Sequence, residues 1–257
     1  MFCHQCEQSA AGCKDAIGVC GKDETTADLQ DILLHTAKGT SMYAHRARDL
    51  GAKDRDIDVS VLEALFTTVT NVNFDPERIA AQIHAAARMR DKAKALYEDA
   101  CLAAGKTPER LSGPATFEPA ETVEGLLAQW NVASIPARIE RVGEDIGSLQ
   151  EILVYGVKGA AAYADHAMIL GEESDEVYAA FHEALDLLTR DDASADELFA
   201  ASMRAGEVNL KVMEMLDRGH NNAFGHPEPT AVRTTPVKGK AIAISAVSYT
   251  HLTLPTN

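Results

Sequence analysis

Aromatic residues, positive charge and long apolar runs are all scarce in this chain of 257 residues. Phe, Trp and Tyr make up only 5% of it, and its abundant alanine is typical of a soluble, helix-rich protein. The formal net charge of −15 argues against binding to nucleic acid or to an anionic membrane surface. No apolar run has the length of a transmembrane helix. On these two grounds we expect neither a nucleic-acid partner nor a membrane.

Cysteine is also scarce, except at one end of the chain. Four of the five cysteines fall within the first twenty residues. The fifth, Cys101, lies in an alanine-rich stretch and is interpreted as a small core residue. The first twenty residues lack the basic and apolar stretches of a signal peptide, so we expect a cytoplasmic protein without a disulfide framework.

The four N-terminal cysteines can hold a single metal centre. Tetrahedral sulfur ligation is typical of zinc or of an iron–sulfur cluster. Structural zinc sites usually have two tight Cys-x2-Cys pairs, whereas only Cys3 and Cys6 are tightly spaced here, which favours an iron–sulfur cluster. A structural zinc site, or a redox-active dithiol at the first pair, remains an alternative on spacing alone. The candidate ligands are Cys3, Cys6, Cys13 and Cys20, and the glycines that let this segment turn are Gly12, Gly18 and Gly21.

Capping signals predict two groups of three helices. Asp75 and Pro76 form a typical helix start, because Asp caps the free N–H groups and Pro fits the first helical position. Ser60 with Glu63 has the pattern of a capping box. A linker rich in Pro separates the groups over residues 106–120. The predicted helices are 26–50, 60–71, 75–104, 121–130, 145–170, 174–189 and 194–218.

The sequence of the first helix returns in the second group. Residues 29–51 align with residues 149–171 at a constant offset and share the pairs Leu-Gln, Ile-Leu, Lys-Gly, Tyr-Ala and Leu-Gly. We interpret this as two copies of one three-helix unit. Gly39 and Gly159 fall in mid-helix, where Gly costs about 1 kcal/mol relative to Ala, so we expect a neighbouring helix to approach closely at both. The repeated lysine and tyrosine could face a cofactor, but packing and surface roles are commoner for such residues.

The end of the chain departs from the helical pattern. Residues 219–236 predict a loop, and the β-branched run at 241–245 predicts the first buried strand of an α/β domain. We therefore expect a mainly α protein of two tandem three-helix bundles that ends at the first strand of a missing α/β domain. The predicted organisation is a cluster-binding loop at 1–24, helical units at 25–110 and 144–220, a linker with a short helix at 111–143, a linker and strand at 221–246, and a non-native tail at 247–257.

These motifs resemble those of the hybrid-cluster protein (prismane) family, the hydroxylamine reductases, over about residues 1–245. The resemblance implies two three-helix bundles and a proximal iron–sulfur cluster held by Cys3, Cys6, Cys13 and Cys20. The compact gap between the second and third cysteines implies a 4Fe-4S rather than a 2Fe-2S cluster. The segments that carry the resemblance are Met1-Phe2-Cys3-x-x-Cys6-Glu7-Gln8, Gly18-x-Cys20-Gly21-Lys22 and Leu29-Gln30-Asp31.

The family's activity is expected to lie mostly outside this sequence. The resemblance implies a cytoplasmic oxidoreductase that reduces hydroxylamine to ammonia, or nitric oxide to nitrous oxide, with electrons from a redox donor protein. Its hybrid iron–sulfur–oxygen cluster would belong to later α/β domains, and the histidine that is its first ligand has no match here. Val247 stands in register with it, and His251 is out of register. We therefore expect an electron-receiving N-terminal part without catalytic residues or reductase activity of its own.

Two other interpretations stay open on the sequence alone. One is a zinc-stapled helical interaction module with no redox role. The other is the N-terminal part of a carbon monoxide dehydrogenase-like iron–sulfur enzyme. The Cys-x2-Cys-Glu-Gln start and the Gly-x-Cys-Gly-Lys end of the cysteine segment favour the reductase.

Overall fold

The computed structural model describes residues 1–3, 6, 12–69, 72–231, 233–235 and 238–240. These residues confirm the mainly α architecture, and none of their helices is long and apolar enough to cross a membrane. The predicted strand at 241–245 and the tail at 247–257, with Val247 and His251, lie outside the described residues. The helices are α1 (Glu24–Asp49), α2 (Arg55–Thr67), α3 (Pro76–Ala103), α4 (Val123–Gln129), α5 (Ile135–Val142), α6 (Glu144–Ile169), α7 (Asp175–Leu187) and α8 (Ala195–Phe224).

The internal repeat is visible in the helix ends. Helices α1 and α6 are both 26 residues long, and helices α2 and α7 are both 13 residues long. After α1 the chain turns at Gly51 with φ +80°, and after α6 it turns at Gly171 with φ +84°, a conformation that favours glycine. Helices α1 and α6 therefore begin close to the predicted positions 26 and 145, while their equivalence in two three-helix units stays a prediction.

Helix α2 begins earlier than predicted. Its N-cap is Asp54, whose carboxylate accepts hydrogen bonds from the N–H groups of Asp56 at 2.9 Å and Ile57 at 3.3 Å. Aspartate caps a helix as well as serine does, so this earlier signal sets the start and Ser60 lies inside the helix. The predicted end at Asn71 lies outside the described residues, and the helix ends at Thr67.

Two further helix predictions were wrong. Helix α5 was missed inside the predicted linker, although Ser134 caps it and Gly143 ends it with φ +87°. Helix α8 continues past Gly219, which was expected to begin a loop. A Cβ added to Gly219 would lie 3.0 Å from Leu170 Cβ, so the glycine allows α8 to pack closely on the end of α6. Tertiary packing there outweighs the low helix propensity of glycine.

The middle helices α2 and α7 each pack against the other three-helix unit as well as their own. Helix α1 packs along α3 of its own unit and along α7 of the other, and α6 packs along α8 and along α2. The largest apolar cluster accordingly joins Val61 and Leu65 of α2 to Leu153 of α6 and Phe181 of α7. The core of one unit is thus completed by the other.

A buried polar network also joins the two units. Nε2 of His182 on α7 lies 2.8 Å from an oxygen of Asp58 on α2, and its Nδ1 lies 3.0 Å from Ser41 Oγ on α1. Because a carboxylate only accepts, Nε2 carries the proton and Nδ1 accepts from the Ser41 hydroxyl. Arg48 donates to the other Asp58 oxygen at 2.6 Å. All of the His182 side chain is buried, so this Ser–His–Asp arrangement has no access for a substrate and joins three helices instead.

The expectation of close helix contacts at the two repeated glycines was wrong. A Cβ on Gly39 would lie 2.1 Å from the carbonyl oxygen of Pro114, which belongs to the 3-10 turn Gly113–Thr116 rather than to a helix. A Cβ on Gly159 would meet no atom within 4 Å. Cys101 is buried among the apolar side chains of α1 and α3, as predicted.

Candidate metal centre

The N-terminal segment folds back on itself ahead of α1. Cys3 and Cys13 pair as two antiparallel residues: the Cys3 N–H donates to the Cys13 carbonyl at 3.0 Å, and the Cys13 N–H donates to the Cys3 carbonyl at 2.6 Å. The terminal ammonium group of Met1 contacts the Glu24 carboxylate at 2.6 Å, at the first residue of α1. These contacts hold the start of the chain against the start of the first helix.

A tight turn presents Cys20. The Gly18 N–H donates to the Lys22 carbonyl at 2.7 Å, and the Gly21 N–H donates to the Gly18 carbonyl at 2.9 Å. Gly21 has φ +88°, which a residue with a side chain rarely adopts. The chain then enters α1 through the N-cap Asp23, so the position of Cys20 is set by the helix that follows.

The four predicted ligands meet at one small cavity. Its lining contains Cys3, Cys6, Cys13 and Cys20, together with Met1, Gly18 and Lys22. A Cβ added to Gly18 would lie 3.2 Å from Met1 Cε and 3.5 Å from Cys13 Sγ. The backbone at Gly18 thus lies in direct contact with Met1 and Cys13 at the edge of this cavity.

The donor set of four cysteines fits an iron–sulfur cluster. All four cysteines are free thiols of intermediate exposure. Among the described residues no three His, Cys, Asp or Glu side chains converge as they would around one metal ion. A cluster of several irons spaces its thiolates more widely than a single zinc ion does, and the cysteines surround a cavity rather than a point. His4, which lies between the first two cysteines, is outside the described residues.

Two buried lysines lie beside the sulfur atoms. Lys22 is 1% exposed, and its ammonium group donates to Gln30 Oε1 at 2.7 Å. Burial lowers the pKa of Lys158 to about 8, although Asp31 and Cys3 favour its charged form. Buried cations require nearby negative charge, and thiolates would supply it.

A larger cavity, which we name the central cavity, adjoins this site and was not predicted. It has a volume of about 810 Å³ and reaches from Phe2 and Cys3 to residues of α1, α5 and α6. Lys38 and Lys158, the repeated lysines, are both buried and both line it. The repeated Lys-Gly pair was the sequence signal for this cavity. The repeated tyrosines differ, since Tyr43 is buried and Tyr163 is 44% exposed.

Asp31 lines the central cavity and is held in place by Trp130. Burial raises the pKa of its carboxyl group to about 6, against the effect of a hydrogen bond from Trp130 Nε1 at 3.0 Å and of the positive charge on Lys158. Arg138 on α5 forms an ion pair with Glu151 on α6. The cavity is therefore lined by buried charges of both signs.

Comparisons with known proteins agree with this arrangement. The family model described as Prismane/CO dehydrogenase family matches residues 1–246. Proteins named hydroxylamine reductase from Acidiphilium cryptum, Acidithiobacillus ferrooxidans and Rhodospirillum rubrum are each 48% identical over 251, 250 and 246 residues, respectively. Each match covers 95% of this chain and 45% of the relative, so the chain spans about half the length of the curated relatives it matches.

Proposed function

The chain belongs to the Prismane/CO dehydrogenase family, and on that premise we propose that its four N-terminal cysteines hold an iron–sulfur cluster which receives electrons for a hydroxylamine reductase. The observation that carries this proposal is the meeting of Cys3, Cys6, Cys13 and Cys20 around one cavity. The similarity to proteins named hydroxylamine reductase supports the reaction.

The residues of this chain would bind and insulate the cluster. Thiolates of the four cysteines would be its ligands, and the cluster would supply one-electron transfer. Gly18 leaves space beside Cys13, while the buried ammonium of Lys22 offsets the negative charge of the thiolates.

The cluster proposed here is of the 4Fe-4S type. Four thiolates from one compact segment are the usual ligand set of such a cluster. The pairing of Cys3 with Cys13 brings the second half of the segment back over the first, so that all four thiolates can reach one cluster.

The reaction proposed for the whole protein consumes two electrons and two protons per hydroxylamine and releases ammonia and water. We propose that a redox protein donates those electrons through the N-terminal cluster, and that a hybrid cluster outside this chain performs the reduction. Nitric oxide, reduced to nitrous oxide, is the other candidate substrate of the whole protein. No residue of this chain is proposed to contact either substrate.

Metal analysis of anaerobically isolated protein tests the cluster. We expect a brown protein with iron and acid-labile sulfide in equal amounts, about four of each per chain. Cys20→Ser should lose the visible absorption, because a neutral hydroxyl is a poor iron ligand.

Cys101→Ser is the matched control. It changes the same atom in the core of α3, so it should keep the full iron content and only lower the stability. Stoichiometric zinc without visible absorption, or equal iron loss in both variants, would contradict the proposal.

A further inference from the structure

The central cavity holds one cation without a partner. Lys38 is 6% exposed, yet within the described part of the chain its ammonium group has no hydrogen bond and no ion pair. Burial and the charges of Arg138 and Lys158 hold the pKa of Lys38 well below its usual value, against the effect of Asp31. A buried ammonium group in this position is unfavourable unless an anion comes to it.

The charges around the cavity leave this positive charge in excess. Glu151 is paired with Arg138, and Asp31 lies close enough to Lys158 for each to favour the charged form of the other. Lys38 is then the cation that remains. The other acidic side chains of the lining do not reach it: Asp186 binds Arg46 at 2.6 Å, Asp191 binds Arg141 at 3.2 Å, and Glu140 is exposed.

The lining also offers directional hydrogen-bond donors. His35 lies one turn before Lys38 on α1, and burial with the Lys38 charge lowers its pKa to about 3. Its ring is therefore neutral at pH 7 and has one N–H to donate. Ser134 brings a hydroxyl group from the start of α5, which accepts from the Ala137 N–H and keeps its own proton to donate. A spherical halide makes little use of such directions, whereas an oxyanion accepts several of these bonds at once.

From this geometry we propose that the central cavity is a binding site for a phosphate-type oxyanion, with Lys38 as its principal charged ligand. The cavity volume of about 810 Å³ holds such an ion together with several water molecules. This proposal does not depend on the cluster, since Lys38 and His35 are α1 residues outside the cysteine segment.

Thermal unfolding of the anaerobically isolated chain tests the site, with inorganic phosphate as the probe and potassium chloride at the same ionic strength and pH as the reference. A ligand that binds only the folded state raises the Tm progressively with its concentration. We expect phosphate to raise the Tm above the chloride reference. Lys38→Met should raise the apparent Kd for phosphate at least about tenfold, since it removes the charge but keeps the length of the side chain.

Lys94→Met is the matched control, because it removes the same charge from an exposed site on α3. It should keep the wild-type response to phosphate. Without phosphate, Lys38→Met should be at least as stable as wild type, since a buried unpaired cation is gone.

Equal phosphate shifts in wild type and Lys38→Met, or no shift beyond that of chloride, would overturn the proposal. Equilibrium dialysis of the unaltered chain against labelled phosphate decides the matter if the variant does not fold. One bound phosphate per chain is then the expected result, and none would refute the site.

Discussion

Gly39 and Gly159 hold the same position in the two copies of the repeat, but their surroundings differ. At Gly39 the carbonyl of Pro114 occupies the space that a side chain would need, with only 2.1 Å to an added Cβ. At Gly159 that space is empty to 4 Å. The same residue type is thus required by packing in one copy and is a remnant of the duplication in the other.

Alanine at each glycine should therefore have opposite effects. Gly39→Ala is expected to lower the free energy of unfolding by about 1–3 kcal/mol, because the backbone of Pro114 must move. Gly159→Ala should raise it by about 0.5–1 kcal/mol through helix propensity. Chemical denaturation of both variants measures this difference. A loss of stability at Gly159 equal to that at Gly39 would show that the two positions are equivalent after all.

Side-chain roles were predictable only where chemistry is concentrated in the sequence. The cysteines stand within twenty residues of one another, so their shared cavity could be expected from spacing alone. The surroundings of Lys38 come instead from α5 and α6, which are distant in sequence, and no local pattern indicates which face of α1 they cover. The contact between Gly39 and Pro114 could not be predicted for the same reason, because the two residues are distant in sequence.

At the scale of helices, His182 joins α7 to α1 and α2 and should make stability depend on pH. Burial lowers the pKa of His182, with Arg48 and His45 acting in the same direction and Asp58 opposing them. In the unfolded chain the histidine has a pKa of about 6.5 and binds a proton as the pH falls, whereas in the folded chain the buried His182 ring stays neutral. This contribution is fully present above about pH 6.5 and is lost as the pH falls below it.

Wild type should consequently lose more stability than His182→Gln between neutral and mildly acidic pH. The expected extra loss is at most about 1.4 kcal/mol per pH unit for one proton. Burial also raises the pKa values of Asp28, Asp31 and Asp165 to about 6. These carboxyl groups change the stability with pH in the opposite direction, but they do so equally in both proteins. Denaturation curves across this range give the comparison, and parallel pH profiles would argue against a neutral buried ring.

The positions of the helices followed from caps and periodicity, whereas their partners did not. The start of α3 at Asp75 and Pro76 was predicted correctly because both signals are local. Nothing local tells α1 whether to pack on α2 or on α7, since both middle helices present apolar faces of the same length. The way the two units meet is decided by tertiary contacts such as the bond between Asp58 and His182.

At the scale of the whole molecule, the net charge of −15 should govern the rate of electron delivery. An acidic surface attracts a cationic donor over a range that added salt shortens. Reduction of the proposed cluster by a cationic viologen radical should therefore slow as potassium chloride is added. Reduction by anionic dithionite should accelerate, and stopped-flow absorbance follows both. Identical salt dependence with the two donors would mean that protein charge does not control the encounter.

The contacts between the two copies of the repeat also bear on how the chain could be divided. Helix α7 packs along α1 of the other unit, and α2 contacts α6 as well as α1 and α3. Because the largest apolar cluster spans both copies, neither residues 24–103 nor residues 144–224 alone would keep the whole core. The central cavity lies at the same boundary, with Lys38 from one copy and Lys158 from the other in its lining. Separating the copies would therefore open that cavity to solvent.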